Sequence, residues 1–260
     1  MGNEADISGP AAPAMQAWTT FERRITIEAD RVTKSELPKA NLIRRKSGAI
    51  VQPFWSQERL CNEAATLNFI AAHTTIPVPS CSLYSTHDRL LHLETTLIKD
   101  AVELAEIPAG PSRAAALAAV DEELRESVLP QLRDLTRDTI GSVDAEFPVF
   151  PPSRIYMKDY RSWERITADA PTAAGEGPFV LCHNDLSPQN ILVQAEPPFK
   201  IIAIIDWEFA GFFPAHFELP LWHVADDWRA RRAMCDDARG RDLALWGLKE
   251  GDLVDGVPEV

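Results

Sequence analysis

From Phe179 the chain reads Phe179-Val180-Leu181-Cys182-His183-Asn184-Asp185-Leu186-Ser187-Pro188-Gln189-Asn190-Ile191-Leu192-Val193. After a polar turn it resumes as Lys200-Ile201-Ile202-Ala203-Ile204-Ile205-Asp206-Trp207-Glu208-Phe209-Ala210-Gly211. An apolar strand delivers His183-x-Asp185 onto a loop, and Asn190 closes that loop five residues after Asp185. Two short apolar runs, 191–193 and 200–205, read as a buried hairpin that returns Asp206 to the loop. Two carboxylates and an amide therefore converge. All offer oxygen, the ligand type that hard cations such as Mg²⁺ take, usually alongside waters and substrate phosphates. A base beside a metal pair is what phosphoryl transfer asks of a protein: position an acceptor hydroxyl, neutralise phosphate charge, accept a proton.

Working upstream, Phe21–Ile27 and Asn41–Phe54 are strand-like, and Leu42–Lys46, Ser47-Gly48 and Ala49–Gln52 read as a hairpin stopped by Pro53. Ser56 is placed to cap a helix whose apolar face is Leu60, Ala64, Leu67 and Ala71. Glu63 lies on or beside that face, a position equally suited to a partner inside or to water outside. Ile76-Pro77-Val78-Pro79 is an extended connector. A strand over Leu90–Leu97 alternates Leu91, Leu93 and Thr95 against His92, Glu94 and Thr96. Ser112 opens a helix carrying Leu117, Val120, Leu124 and Val128, which Pro130 kinks or ends before Leu132 and Leu135. The stretch from Phe147 to Gly177 reads as loop with one short helix. Strands with one helix, then helices, a short strand pair and a helical end predict an α+β chain of two unequal lobes rather than a doubly wound sheet. The expected division is a loose tail over 1–16, an N-lobe over 17–98 and a C-lobe over 99–260.

Composition narrows the class. The chain of 260 residues has 26 Lys+Arg against 39 Asp+Glu, a net charge of −13, which argues against general nucleic-acid binding. Apolar residues at 45% and charged ones at 25% indicate a folded globular chain. The four cysteines (Cys61, Cys81, Cys182, Cys235) lie far apart and form no CxxC pair, so they read as reduced thiols. No signal peptide is visible, and the apolar run Ile201–Ile205 is far too short to span a bilayer. A cytoplasmic location with no membrane association is expected.

The two motifs together resemble the kinase-like phosphotransferases of the aminoglycoside phosphotransferase and choline kinase group, and look most like fungal phosphotransferase-family proteins. His183-Asn184-Asp185 through Asn190 stands in the frame of that family's H-x-D-x-x-x-x-N loop. Ile205-Asp206-Trp207-Glu208 stands where the family carries I-D-W-E, the counterpart of the protein-kinase D-F-G. Asn62-Glu63-Ala64, followed by Ile76-Pro77-Val78-Pro79, is similar to its E-A … I-P-V-P signature. The resemblance implies a bilobal protein-kinase-like fold: a small antiparallel N-lobe sheet with one helix, and a mainly helical C-lobe. It implies ATP and Mg²⁺ as cofactors and transfer of the γ-phosphoryl group to a hydroxyl of a small molecule. Asp185 would be the base, Asn190 and Asp206 the metal ligands, and His183 a brace within the loop. Glu63 would be the helix glutamate that pairs with the ATP-holding lysine, and Glu94 would approach the hinge between the lobes.

One position departs from the pattern. The family's strand lysine is expected one element before the Glu63 helix, and Gln52 occupies that place. A neutral amide supplies no point charge for the phosphates, and Lys46, on the other strand of the expected hairpin, is the substitute within reach. If neither serves, the chain is a catalytically impaired, kinase-like binding or regulatory protein. Protein substrates are disfavoured, because Ser187 replaces the lysine of H-R-D-L-K-P-E-N and no A-P-E follows Asp206. The stretch after Asp206 is short for this class, which suggests a small, open or absent acceptor pocket. Asp226-Asp227-Trp228-Arg229-Ala230-Arg231-Arg232 reads as a solvated helix face. His216, His223, Trp207, Trp222 and Trp228 suit either an acceptor pocket or helix packing. The acidic balance suits a cationic acceptor, and equally a surface kept acidic for solubility. No oligomeric state follows from the sequence.

Overall fold

The computed structural model describes residues 16–51, 53, 55–147, 152–156, 178–224 and 227–245. Five antiparallel strands open the chain's fold: β1 (Gln16–Thr19), β2 (Arg23–Ile27), β3 (Arg31–Glu36), β4 (Cys81–Ser85) and β5 (Leu91–Thr96), in the order β1-β2-β3-β5-β4. The helix α1 (Ser56–His73) enters between β3 and β4 and lies on this sheet, where Leu60 and Ala64 pack with Leu93. Lys34 pairs across the sheet with Ile25 and Leu93, which puts all three on the face that α1 covers. Glu94 falls on the opposite face by the same two-residue alternation.

Several expectations shift here. The expected hairpin over 42–52 is a turn closed by one bridge, Arg44 to Ile50, and joins no sheet; Gln52 itself lies outside the described residues. At the helix start Trp55, with φ of 45°, holds the cap position and Ser56 is the first helical residue. Ile70 rather than Ala71 completes the buried stripe of α1.

The connector Ile76–Pro79 leads from α1 to β4, and the Pro77 carbonyl accepts from the backbone N–H of Ile204. After β6 (Val102–Glu103) comes α2 (Pro111–Glu123), followed by a π-helical turn over Leu124–Val128 and α3 (Leu129–Asp134). Pro111 rather than Ser112 starts α2, with Gly110 at the cap. Pro130 therefore sits in the first turn of α3, where its missing N–H costs nothing, and the wider turn before it absorbs the ring. The short elements that follow are β7 (Thr136–Arg137), α4 (Ser153–Tyr156), β8 (Phe179–Cys182), β9 (Ile191–Val193), β10 (Ile201–Ile204) and β11 (Gly211–Phe213). They form two small sheets, β10-β9-β6 and β11-β8-β7, set among the helices. The last helix, α5 (Trp228–Ala244), is docked by a buried ion pair between Arg154 of α4 and Asp242, at 2.6 Å. One large core joins the far end of α1 (Leu67, Ile70) to α2, β8, β9 and β10. Among the described residues no helix is long and apolar enough to cross a membrane.

Gly211 marks a close backbone approach. A Cβ there would lie 2.7 Å from the Gly141 carbonyl oxygen, a backbone atom locked in the bridge between Gly141 and Phe212. Gly211→Ala is expected to cost about 1–3 kcal/mol through this overpacking, read as a lowered midpoint in thermal or urea unfolding.

Candidate active site

The loop between β8 and β9 is held from three directions. His183 is buried; its Nε2 meets the Ile205 carbonyl at 3.0 Å and its Nδ1 accepts from the Asp185 backbone N–H at 3.3 Å. Burial lowers the imidazole to about 4, so it is neutral and bridges the two motif segments as Nε2–H donor and Nδ1 acceptor. Asn184, at φ 67°, uses the left-handed region that Asn tolerates and donates Nδ2 to the Phe209 carbonyl. Asn190 donates Nδ2 to the Asp185 carbonyl at 2.8 Å, which closes the loop on itself. Beyond the hairpin, Asp206 also takes a left-handed backbone, φ 64°, turning the chain sharply after β10. Burial pushes the Asp185 carboxyl up to about 6, against the pull of Arg231 and the Ser187 hydroxyl, which leaves it an ionised but basic carboxylate at neutral pH.

A second set of charges links the N-terminal sheet to this loop. Lys34 of β3 donates Nζ to both oxygens of Glu63, at 2.7 and 2.8 Å, and to Asp206 Oδ1 at 2.6 Å. Burial works against the ammonium charge, but Asp206 and Glu63 hold the lysine above its usual range. Glu63 is only 2% exposed, and burial pushes its carboxyl up while Lys34 pulls it down. Asn62, one residue before it, donates to the carbonyls of Glu208 and Ala210, so α1 is tied directly to the Asp206 segment. Glu208 receives Arg23 at 2.6 Å and Arg59 at 2.9 Å; against burial, these guanidiniums hold its carboxyl down at about 2.

The oxygens of Glu63, Asp206 and Glu208 lie within 4.8 Å of one another and suit a hard cation. What each already binds decides between them. Glu63 is held twice by Lys34 and Glu208 by two arginines, whereas Asp206 has one bond from Lys34 and a side chain 34% exposed. Asp206 is the carboxylate placed to meet a ligand. It shares a cleft of about 480 Å³ with Lys34, Glu63, Gln189 and Asn190, walled by apolar Ile25, Ile27, Val32, Leu97, Ile98, Leu192 and Ile205. Glu103 and Glu106 line it too, so charged and apolar groups share one cleft, the mixed lining of a small-molecule site.

The profile of the phosphotransferase enzyme family matches residues 42–253. The chain belongs to that family. Solved structures of similar fold include the GDP complex of a mutant aminoglycoside 2'-phosphotransferase-IIIa, at 13% identity and a TM-score of 0.51, covering 93% of this chain and 82% of that one. The GDP and kanamycin complex of the same type of enzyme matches at 13% identity and 0.51, over 90% and 79%. An aminoglycoside phosphotransferase from Streptomyces rimosus matches at 16% and 0.51, over 90% and 86%. At these identities the likeness is one of fold, and the fold is the protein-kinase-like one expected. No curated protein matches the chain.

As a family member the chain departs from the expected residue set in its N-terminal sheet. Lys46 is exposed in the turn over 46–47, and the described residue that holds Glu63 is Lys34, which stands before the stretch matched by the family profile. Glu94 turns away from the cleft and pairs with Arg31 at 3.2 Å on the outer face of the sheet, leaving Thr95, Thr96 and Leu97 to line the passage between the lobes. Asp185, Asn190, Asp206, His183 and Glu63 lie together around the loop between β8 and β9 and the segment that Asn62 ties to α1. Two further residues join them. Glu218 accepts from the backbone N–H groups of His183 (2.5 Å) and Asn184 (3.4 Å), pinning the loop from outside. Arg231 of α5, from the run read as a solvated face, donates Nη2 to Asp185 Oδ1 at 2.7 Å. Among the aromatics, Trp207 is buried with its Nε1 on the Ile204 carbonyl, Trp222 and His223 both bond Asp121, and Trp228 is exposed.

Proposed function

We propose that this phosphotransferase binds ATP with Mg²⁺ in the cleft between Lys34 and Ile98 and transfers the γ-phosphoryl group to a hydroxyl of a small molecule. The observation that carries the reading is the placement of Lys34, fixed between Glu63 and Asp206 in a cleft that also offers apolar walls. With Glu63 setting its position, the Lys34 ammonium is available as a point charge for the α- and β-phosphates. Asp206 and Asn190 would hold the cation, which when bound supplies neutralising charge to the triphosphate. Asp185 accepts or orients the proton of the acceptor hydroxyl, its backbone kept in register by His183 and Asn190. The alternative, an impaired binding protein, takes part of its motive from Gln52; Lys34 beside Glu63 supplies the ammonium that Gln52 lacks.

Thermal unfolding with ATP, with and without Mg²⁺, tests this. At a hundredfold excess over Kd a ligand stabilises by about 2.7 kcal/mol, a rise of several degrees. The rise is expected with ATP plus Mg²⁺ and is expected to shrink in Asp206→Ala. No shift of the intact protein at millimolar ATP and Mg²⁺ sinks the reading.

A further inference from the structure

Asp185 does not face open solvent. Its carboxylate, 16% exposed, is met by Arg231, 31% exposed, from the first turns of α5. The position is not incidental to the helix. Residues 231, 235, 238 and 242 recur at helical spacing; Ala238 and Asp242 are buried, and Arg154 anchors the stripe at Asp242. Arg231 therefore sits on the inward face of a docked helix. Its neighbours turn elsewhere: the Arg229 guanidinium lies over the Trp228 ring at 5.5 Å, and Arg232 pairs with Asp236 at 3.6 Å.

Neither Asp185 nor Arg231 lines the cleft assigned above to the nucleotide, and Asp185 is the group assigned to the acceptor hydroxyl, which puts the pair on the acceptor side. This step rests on that assignment. An acceptor hydroxyl that hydrogen-bonds Asp185 must come within roughly 3 Å of its carboxylate, which brings the neighbouring acceptor atoms to within a few ångströms of the guanidinium. A guanidinium carries five donors in a planar fork, and one of them, on Nη2, goes to Asp185. A cationic group on the acceptor would meet like charge there. An oxyanion would meet its natural partner.

We propose that Arg231 is a specificity-determining residue and that the acceptor carries an oxyanion, a carboxylate or a phosphate, close to the hydroxyl that is phosphorylated. Arg231 pairs with Asp185 while the site is free of acceptor and turns part of its fork to the acceptor oxyanion on binding. Both groups are only partly exposed, so the pairing also shields the base from water until an acceptor arrives. The proposal sets this chain apart from a site built to receive polyamine-like cations.

The test begins with ATP binding by thermal shift; its failure overturns the nucleotide assignment itself and is read separately. With binding in hand, ADP release is measured against three pools of hydroxylated small molecules: hydroxy acids with sugar phosphates, neutral polyols and sugars, and amino alcohols with amino sugars. Turnover confined to the anionic pool is expected, and separating its two members assigns carboxylate or phosphate. Arg231→Gln is expected to raise the acceptor KM roughly 10- to 100-fold, the loss of one charge-assisted hydrogen bond, with the KM for ATP unchanged. Arg231→Lys, which keeps the charge and loses the fork, is expected to recover part of it. Turnover of the neutral or cationic pool, or of no pool despite ATP binding, overturns the proposal. So does an Arg231→Gln enzyme that is faster with every pool, which would make the contact an inhibitory plug. A fall in kcat with acceptor KM unchanged overturns it too, since Arg231 would then serve the transferred group.

Discussion

Asp185→Asn is expected to lower kcat by about 10²–10⁴-fold, the usual contribution of a positioned base, while the affinity for ATP stays close to that of the parent. The substitution keeps shape and removes only basicity. Apart from Arg231, the contacts that hold residue 185 act on its backbone: His183 accepts from its N–H, and Asn190 and the backbone N–H of Ser187 donate to its carbonyl. None of these depends on the carboxylate. The amide oxygen can still accept from Arg231, so α5 is not released. Steady-state kinetics with the acceptor identified as above, together with a nucleotide titration, separates the effects. A variant retaining more than about a tenth of parental kcat would show that proton removal at this carboxylate is not part of the rate-limiting chemistry.

How much of this site the sequence carries differs by residue, for physical reasons. Asp185, Asn190 and Asp206 are legible because one loop and one hairpin fix their spacing, and local backbone geometry is what short motifs encode. By periodicity Glu63 is only a carboxylate near an apolar face; the resemblance gives it a lysine partner but points to position 52, whereas the lysine it binds comes from another strand, 29 residues earlier. That strand, β3, reads Arg31-Val32-Thr33-Lys34-Ser35-Glu36 and holds a single aliphatic residue, so the two-residue hydrophobic rhythm that reveals strands is absent. It is a strand because it pairs on both sides, with β2 and β5, and its inward face carries one aliphatic residue, Val32, beside one charge, Lys34. Local propensity does not contain that. Glu94 shows the reverse case: the alternation of Leu93 and Thr95 against it already assigns it to the outer face. Arg231 was likewise open to periodicity, through the stripe it shares with Ala238 and Asp242, but the surrounding charges masked it. Glu218 left no sequence signal, since it acts on backbone N–H groups 34 and 35 residues away.

Lys34→Met is expected to affect stability and activity together, and a second substitution separates the two. In the parent, one ammonium sits between two carboxylates, and a third, Glu208, stands within the same 4.8 Å group. Removing the ammonium strands Glu63, 2% exposed, beside Asp206 with nothing to offset its charge. Breaking a buried pair from one side costs about 3–5 kcal/mol, a midpoint lowered on the order of 10 °C for a protein of this size. The penalty carries a sign in pH. Burial and Asp206 raise the Glu63 carboxyl in the folded state, and without Lys34 it rises further. A carboxyl raised on folding takes up its proton more readily in the native state, so the deficit is full above its folded value and fades as pH falls toward the unfolded one. Unfolding curves from about pH 8 to about pH 5 should therefore show the variant closing on the parent. Adding Glu63→Gln removes the stranded charge and is expected to restore most of the stability at neutral pH. It restores no charge for the phosphates, so kcat/KM for ATP stays about 10²–10³-fold down in both variants, the loss typical of one preorganised electrostatic contact. A double variant that is stable and active would mean that Lys34 is there to fold the sheet onto α1 and not to hold a nucleotide.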